Sequence, residues 1–266
     1  MHTKRTDLLI ETSALNVALG ESTTNHIAHF DEKIGKGKLV SSTYIRNEFN
    51  GAWVKPYLLM VGVFRQYDSV EAAIAYLSED FSNRKIKVNL RAVGKLLEAK
   101  NADEPSVASV EIARLAFHLQ LRFDRKFKSR IRNRSKCQIG EKKLMMDFNR
   151  LMESIRDFFN LTARVEDCEV KDFLKKNSEK ALSNATLVTE IKTCEKAKKL
   201  VESGKAINCY QCGTIGDFVI ALEQPEKSTL VHIDKAFDSY CEALGKPHTR
   251  IDSLRAIEKI EPLDAE

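Results

Sequence analysis

Turn-forming residues are scarce in this chain. Eleven glycines and five prolines in 266 residues argue against a β-sandwich with many tight turns and favour long helices. There is one tryptophan, Trp53, and its place at the head of an apolar helical stretch reads as core. Long apolar runs are also missing. The longest, Tyr57–Phe64, lies between Lys55 and Arg65 and is too short to span a bilayer. Met1–Thr6 is polar and basic, and Leu8–Ile10 is too short for a signal-peptide core. The expectation is a cytoplasmic protein with no membrane partner. In that compartment the six cysteines are reduced thiols or metal ligands rather than disulfides.

What is present is enough apolar residue, 43%, for a sizeable core, and a mildly basic balance of net charge +5. Asp7-Leu-Leu-Ile-Glu11 reads as a buried parallel strand ending in an acid, with Thr12 and Ser13 just beyond it. Thr23–Lys33 reads as a helix capped by Thr23 or Thr24. Lys38–Ser42 is a second strand, and Thr43 is the expected cap of a helix that carries Glu48. Residues 52–205 have helical spacing throughout, including a long amphipathic helix over Ser106–Asn133 and further helices over Glu141–Phe159 and Val170–Glu202. The α/β character then returns. A short strand is expected at Ala206–Tyr210, a helix opening at Gly213–Asp217, and a strand over Thr229–Ile233 followed by Asp234. A helix over Asp238–Leu244, stopped by Gly245, and a last strand at His248–Asp252 complete the series.

Burying an unpaired carboxylate is costly, so an acid at the end of a buried strand needs a reason. Glu11, Glu48, Asp217 and Asp234 all fall at strand ends or helix starts, which converge at one edge of a parallel sheet. Hard divalent cations such as Mg²⁺ and Mn²⁺ take oxygen ligands of this kind. Against a phosphodiester, such a site generates hydroxide from water and offsets charge on the attacking and leaving oxygens.

Leu8-Leu-Ile-Glu-Thr-Ser-Ala-Leu, Arg46-Asn-Glu-Phe, Gly216-Asp-Phe-Val-Ile-Ala and Thr229-Leu-Val-His-Ile-Asp-Lys-Ala-Phe resemble, in order, the motifs of PIN domains, a family of metal-dependent nucleases. The resemblance covers about the first and last 55 residues. It implies an α/β fold, a PIN-like twisted parallel sheet of about five strands flanked by helices. Residues 1–55 and 206–266 would be the nuclease core, and 56–205 an enlarged helical middle holding family helices plus an insertion. The implied function is an endoribonuclease, in a toxin or defence role, with Glu11, Glu48, Asp217 and Asp234 as catalytic ligands of Mg²⁺ or Mn²⁺. Thr12 or Ser13 would support the metal-bound water. Glu11 stands where the family usually has Asp, and the extra methylene shifts its carboxylate by about 1.5 Å against metal–oxygen bonds near 2 Å. The alternatives are a DNA nuclease and a non-catalytic nucleic-acid-binding or scaffolding protein on the same fold. A homodimer or a paired protein inhibitor would fit the resemblance; no residue specifies either.

The stretch Arg122–Lys136 holds eight Lys and Arg (Arg122, Arg125, Lys126, Lys128, Arg130, Arg132, Arg134 and Lys136) against one Asp, more than the excess of the whole chain. It is the expected contact for the RNA or DNA backbone. Phe123 and Phe127, four apart, are expected to pack inward. Cys209-x-x-Cys212 has the spacing of half a zinc site, which Cys137 and Cys168 would complete; buried free thiols are the other reading. Cys241 reads as core. His26, His29, His118, His232 and His248 show no ligand spacing with one another, and His232 is expected to be structural or to touch substrate.

Overall fold

Parallel strands form the centre of the fold. The computed structural model describes residues 6–20, 22–79, 84–135, 137, 170–177, 196, 198–200, 202–203, 214–253 and 256. They divide between two units. The first comprises Met1–Arg46, Lys126–Glu141 and Arg164–Glu266, and the second Asn47–Arg125 and Lys142–Ala163.

The first unit contains an all-parallel five-stranded sheet flanked by helices. Its strands are β1 (Asp7–Ile10), β2 (Lys38–Ser42), β3 (Ile131–Arg132), β4 (Ser228–His232) and β5 (His248–Arg250), in spatial order β3-β2-β1-β4-β5. Leu8, Leu9 and Ile10 are all buried. Successive strand side chains point to opposite faces, so both faces of β1 are covered, as its continuous apolar run requires. In register, Asp7 lies beside Lys38 on one side and Ser228 on the other, and Ile10 beside Val231. Gly37, just before β2, lies so close to β1 that a Cβ there would stand 2.1 Å from Leu8 Cδ1.

A 3₁₀ turn (Thr12–Ala14) and the single-turn helix α1 (Leu15–Ala18) follow β1, and α2 (Thr24–Ile34) leads to β2. Thr23 caps α2 by accepting the His26 N–H at 3.4 Å. α3 (Thr43–Phe49) starts at once after β2. Its cap is Ser42, not Thr43 as expected: Ser42 Oγ accepts the Ile45 N–H at 3.1 Å, while the Thr43 hydroxyl donates to Asn133 at 2.7 Å.

The second unit is helical. It contains a π-helical turn (Asn50–Val54), α4 (Lys55–Phe64), α5 (Val70–Glu79), α6 (Arg84–Lys100) and α7 (Pro105–Phe127) as far as Arg125. Phe49 and Phe123 stack with ring centres 5.0 Å apart. Phe123 and Phe127 are both fully buried, so they pack inward as expected, and Trp53 is half-buried.

The long helix ends at Phe127, six residues short of the sequence expectation. Lys128–Arg130 tightens to 3₁₀ geometry, and Ile131–Arg132 pairs with Ser41–Ser42 as edge strand β3. Alternating Arg and polar residues suit a half-exposed edge strand as well as a helix face, so periodicity did not separate the two. Further on, α8 (Val170–Asn177) is described, while the helix expected over 141–159 and the strand over 206–210 lie outside the described residues.

α9 (Gly216–Glu223) and α10 (Ala236–Leu244) complete the first unit. The carboxyl end of α9 would leave carbonyls unpaired. Lys246 Nζ donates to the carbonyls of Ala221, Leu222 and Gln224 at 2.8, 2.9 and 3.0 Å. Arg134 donates to those of Glu223 and Gln224 at 3.0 and 2.7 Å. Gly245 stops α10 at φ 62°, and the N–H of Lys246 returns to the Cys241 carbonyl at 2.8 Å.

Candidate active site

The sheet order reverses between β1 and β4: successive crossovers step through β2 to β3 on one side and through β4 to β5 on the other. In an open α/β sheet such a reversal is the usual position of a ligand crevice, at the carboxyl ends of the two strands. Glu11 is the first residue after β1 and Asp234 the second after β4, so an acid stands on each side of that crevice.

Glu11 is 3% exposed, and its main-chain N–H donates to the Val231 carbonyl at 2.9 Å. Its carboxylate accepts the Ser13 N–H at 2.7 Å and the Ser13 hydroxyl. That hydroxyl in turn accepts the Ile233 N–H at 3.2 Å. The carboxylate is thus aimed by the 3₁₀ turn that follows it and is tied through one serine to the residue before Asp234. Thr12, half-buried, opens the same turn.

Asp234 is exposed, and one of its oxygens accepts the Ala236 N–H at 3.0 Å ahead of α10. Asp217 is half-buried in the first turn of α9, where the helix dipole favours a negative charge. Glu48 is half-buried in α3 and belongs to the second unit. Of the four expected acids, Glu11, Asp217 and Asp234 belong to the first unit and Glu48 to the second. Among the described residues, the group of three metal-capable side chains with ligand atoms within 4.8 Å of one another is His232, Asp238 and His248.

Much of the basic stretch is committed within the fold. Arg134 holds the end of α9, Arg132 pairs with Asp7 at 3.4 Å, and Arg130 donates to the carbonyls of Phe127 (3.4 Å) and Lys126. Arg122, Arg125 and Lys126 are exposed. The Lys128 side chain and Lys136 lie outside the described residues. Of the cysteines, Cys137 and Cys241 are buried; burial pushes the Cys241 thiol up to about 12, so it stays protonated as core. Cys168, Cys209 and Cys212 lie outside the described residues, as does the zinc site proposed for them.

Two clusters escaped sequence reasoning. Glu223, 2% exposed, accepts the Ser135 N–H at 3.0 Å and the Ser42 hydroxyl, joining the ends of β2 and α9 to the segment after β3. His232 and His248 approach to 3.1 Å despite their spacing of sixteen residues. The detectable signal for the histidines was a strand-helix-strand unit with a histidine at the end of the first strand and another at the start of the second.

Comparison with protein-family models, with curated proteins and with solved structures returns no match to this chain.

Proposed function

We propose that this protein is a metal-dependent phosphodiesterase acting on RNA, with its site at the carboxyl ends of β1 and β4. The observation that carries the reading is the pair of acids, Glu11 and Asp234, flanking the point where the strand order reverses, with Ser13 tying the Glu11 carboxylate to the main chain at Ile233. Mg²⁺ or Mn²⁺ held by Glu11 and Asp234, with Asp217 in support, would supply hydroxide at neutral pH and stabilise charge on the phosphate oxygens. The chain's own contribution is to fix the Glu11 carboxylate before the ion arrives, which lowers the reorganisation needed on binding. The site argued here uses residues of the first unit alone. The PIN resemblance agrees in its ordered motifs, and the all-parallel sheet agrees in architecture.

Cleavage of end-labelled single-stranded RNA in Mn²⁺, compared for the wild type, Asp234→Asn and Asp217→Asn, tests the proposal. Loss of about 100-fold or more in either variant, as expected when an electrostatic group acting on the reacting atoms is removed, supports it. Equal cleavage by all three proteins overturns the site. Single-stranded DNA at matched salt is the parallel arm, because salt alone moves such affinities by orders of magnitude.

A further inference from the structure

The β4-α10-β5 unit holds a second cluster that the proposed hydrolysis does not use. His232 at the end of β4 is fully buried; Asp238, in the first turn of α10, and His248, which opens β5, are about one quarter exposed. In the β4–β5 register Leu230 lies beside His248 and His232 beside Arg250, so the two histidines are diagonal neighbours. His232 Nε2 lies 3.1 Å from His248 Nδ1 and 3.5 Å from Asp238 Oδ1, and His248 Nδ1 lies 3.4 Å from the same oxygen.

The hydrogens can be assigned. His232 Nδ1 is 2.9 Å from the Asp234 carbonyl oxygen, which only accepts, so the ring carries its hydrogen there. With that hydrogen on Nδ1, the neutral ring has its lone pair on Nε2. His248 Nδ1 then donates. Three polar atoms share one hydrogen, and two of them, a lone pair and a carboxylate oxygen, face each other at 3.5 Å with none between. Arg250 pairs with the other carboxylate oxygen of Asp238, holding that side chain in place and leaving Oδ1 toward the histidines.

We propose that His232 Nε2, His248 Nδ1 and Asp238 Oδ1 form a Zn²⁺ site. Bonds of 2.0–2.1 Å in tetrahedral geometry put neighbouring ligand atoms about 3.3–3.4 Å apart; the separations here are 3.1, 3.4 and 3.5 Å. Two imidazoles with one carboxylate suit zinc, and three protein ligands leave one position for water. The hydrogen bond from His232 to a backbone carbonyl is the outer contact that fixes a ligating imidazole, and the Arg250 pair does the same for the carboxylate. The ion would take the place of the shared hydrogen, with His248 moving its own hydrogen to Nε2. Occupancy would tie the start of β5 and the first turn of α10 to β4, and through the His232 bond it would fix the main chain at Asp234.

Co²⁺ titration of the full-length, tag-free protein, read in the visible spectrum, tests the site. One equivalent with strong tetrahedral absorption and no near-ultraviolet thiolate band is expected, displaced by Zn²⁺. Asp238→Asn and His248→Ala should each weaken binding at least about tenfold, with circular dichroism melts confirming that both variants fold. The double variant Asp217→Asn, Asp234→Asn should keep the tetrahedral Co²⁺ band, which separates this site from the proposed hydrolytic one. No tetrahedral band up to millimolar Co²⁺, a thiolate band in its place, or unchanged binding in both Asp238→Asn and His248→Ala overturns the proposal and leaves a hydrogen-bonded His-His-Asp group.

Discussion

Ser13 and Glu11 act as a unit: the serine supplies both its N–H and its hydroxyl to the carboxylate, and the hydroxyl oxygen still accepts the Ile233 N–H. Two loops that leave neighbouring strands are thereby locked by one side chain.

Ser13→Ala should therefore act on metal use more than on folding. It removes one donor to Glu11 and leaves the Ile233 N–H without its acceptor, a stability loss of about 1–3 kcal/mol. If Glu11 is a ligand of the proposed Mn²⁺, the Mn²⁺ concentration for half-maximal RNA cleavage should rise about 10–100-fold, as when a residue that orients a metal ligand is removed. Ser13→Thr keeps the hydroxyl and should restore most of it. An unshifted Mn²⁺ dependence in Ser13→Ala would remove the serine from the site.

Glu223 sets a pH dependence of opposite sign to the common one for acids. Burial raises its pKa above the usual 4.5, while the hydrogen bonds from Ser135 and Ser42 and the charge of Arg134 pull it partly back. A raised folded-state pKa means that the folded chain holds this proton more tightly than the unfolded chain. The contribution to stability is thus complete below about pH 4.5 and falls as pH rises through the folded value. Glu223→Gln keeps an acceptor for the Ser135 N–H, can donate its amide N–H to the Ser42 hydroxyl oxygen instead of accepting from it, and never ionises. Urea denaturation from pH 4 to 8 should show a shallower decline for Glu223→Gln than for the wild type. Parallel profiles would show that Glu223 does not titrate in this range. Glu223→Ala, which strands both partners, should destabilise at every pH by about 2–5 kcal/mol.

The arginines and lysines of the basic stretch should separate into two classes. Arg134→Ala removes the side-chain donor to the Glu223 carbonyl and one of the two to that of Gln224, which keeps Lys246, and should lower the melting temperature. Arg125→Ala and Lys126→Ala change exposed side chains and should leave melting within about 0.5 kcal/mol of the wild type. If these two touch RNA phosphates, each loss should reduce the slope of log affinity against log salt by about 0.7. An unchanged slope in the double variant would place the RNA contact elsewhere.

The parts of this fold written in short apolar runs were legible. β1, β2 and β4 are each built on such a run bounded by polar residues, and Gly245 marks the stop of α10 as glycine does at a left-handed position. β3 was not, because two residues at a sheet edge leave no period to detect and the arginines around it continue the polarity of α7. The acids at the ends of β1 and β4 were legible because a buried run ending in a carboxylate is unusual. The Ser13 link between Glu11 and the Ile233 main chain was not, since it depends on which strands are neighbours. The same is true of His232 and His248, which only the β4–β5 register brings together, and of Glu223, whose partners lie in distant segments.

The central strand has a partner on each side, and one of them arrives very late. The Ser13 hydroxyl and the Ile233 N–H are 220 residues apart in the chain. At the usual 5–20 residues per second, roughly 10–45 s separate their synthesis. Throughout that interval β1 has β2 beside it and an open edge where β4 will lie, an apolar strand with unpaired amides. A nascent chain must keep that edge from pairing elsewhere, and the crevice between β1 and β4 comes into being only when the final strands emerge.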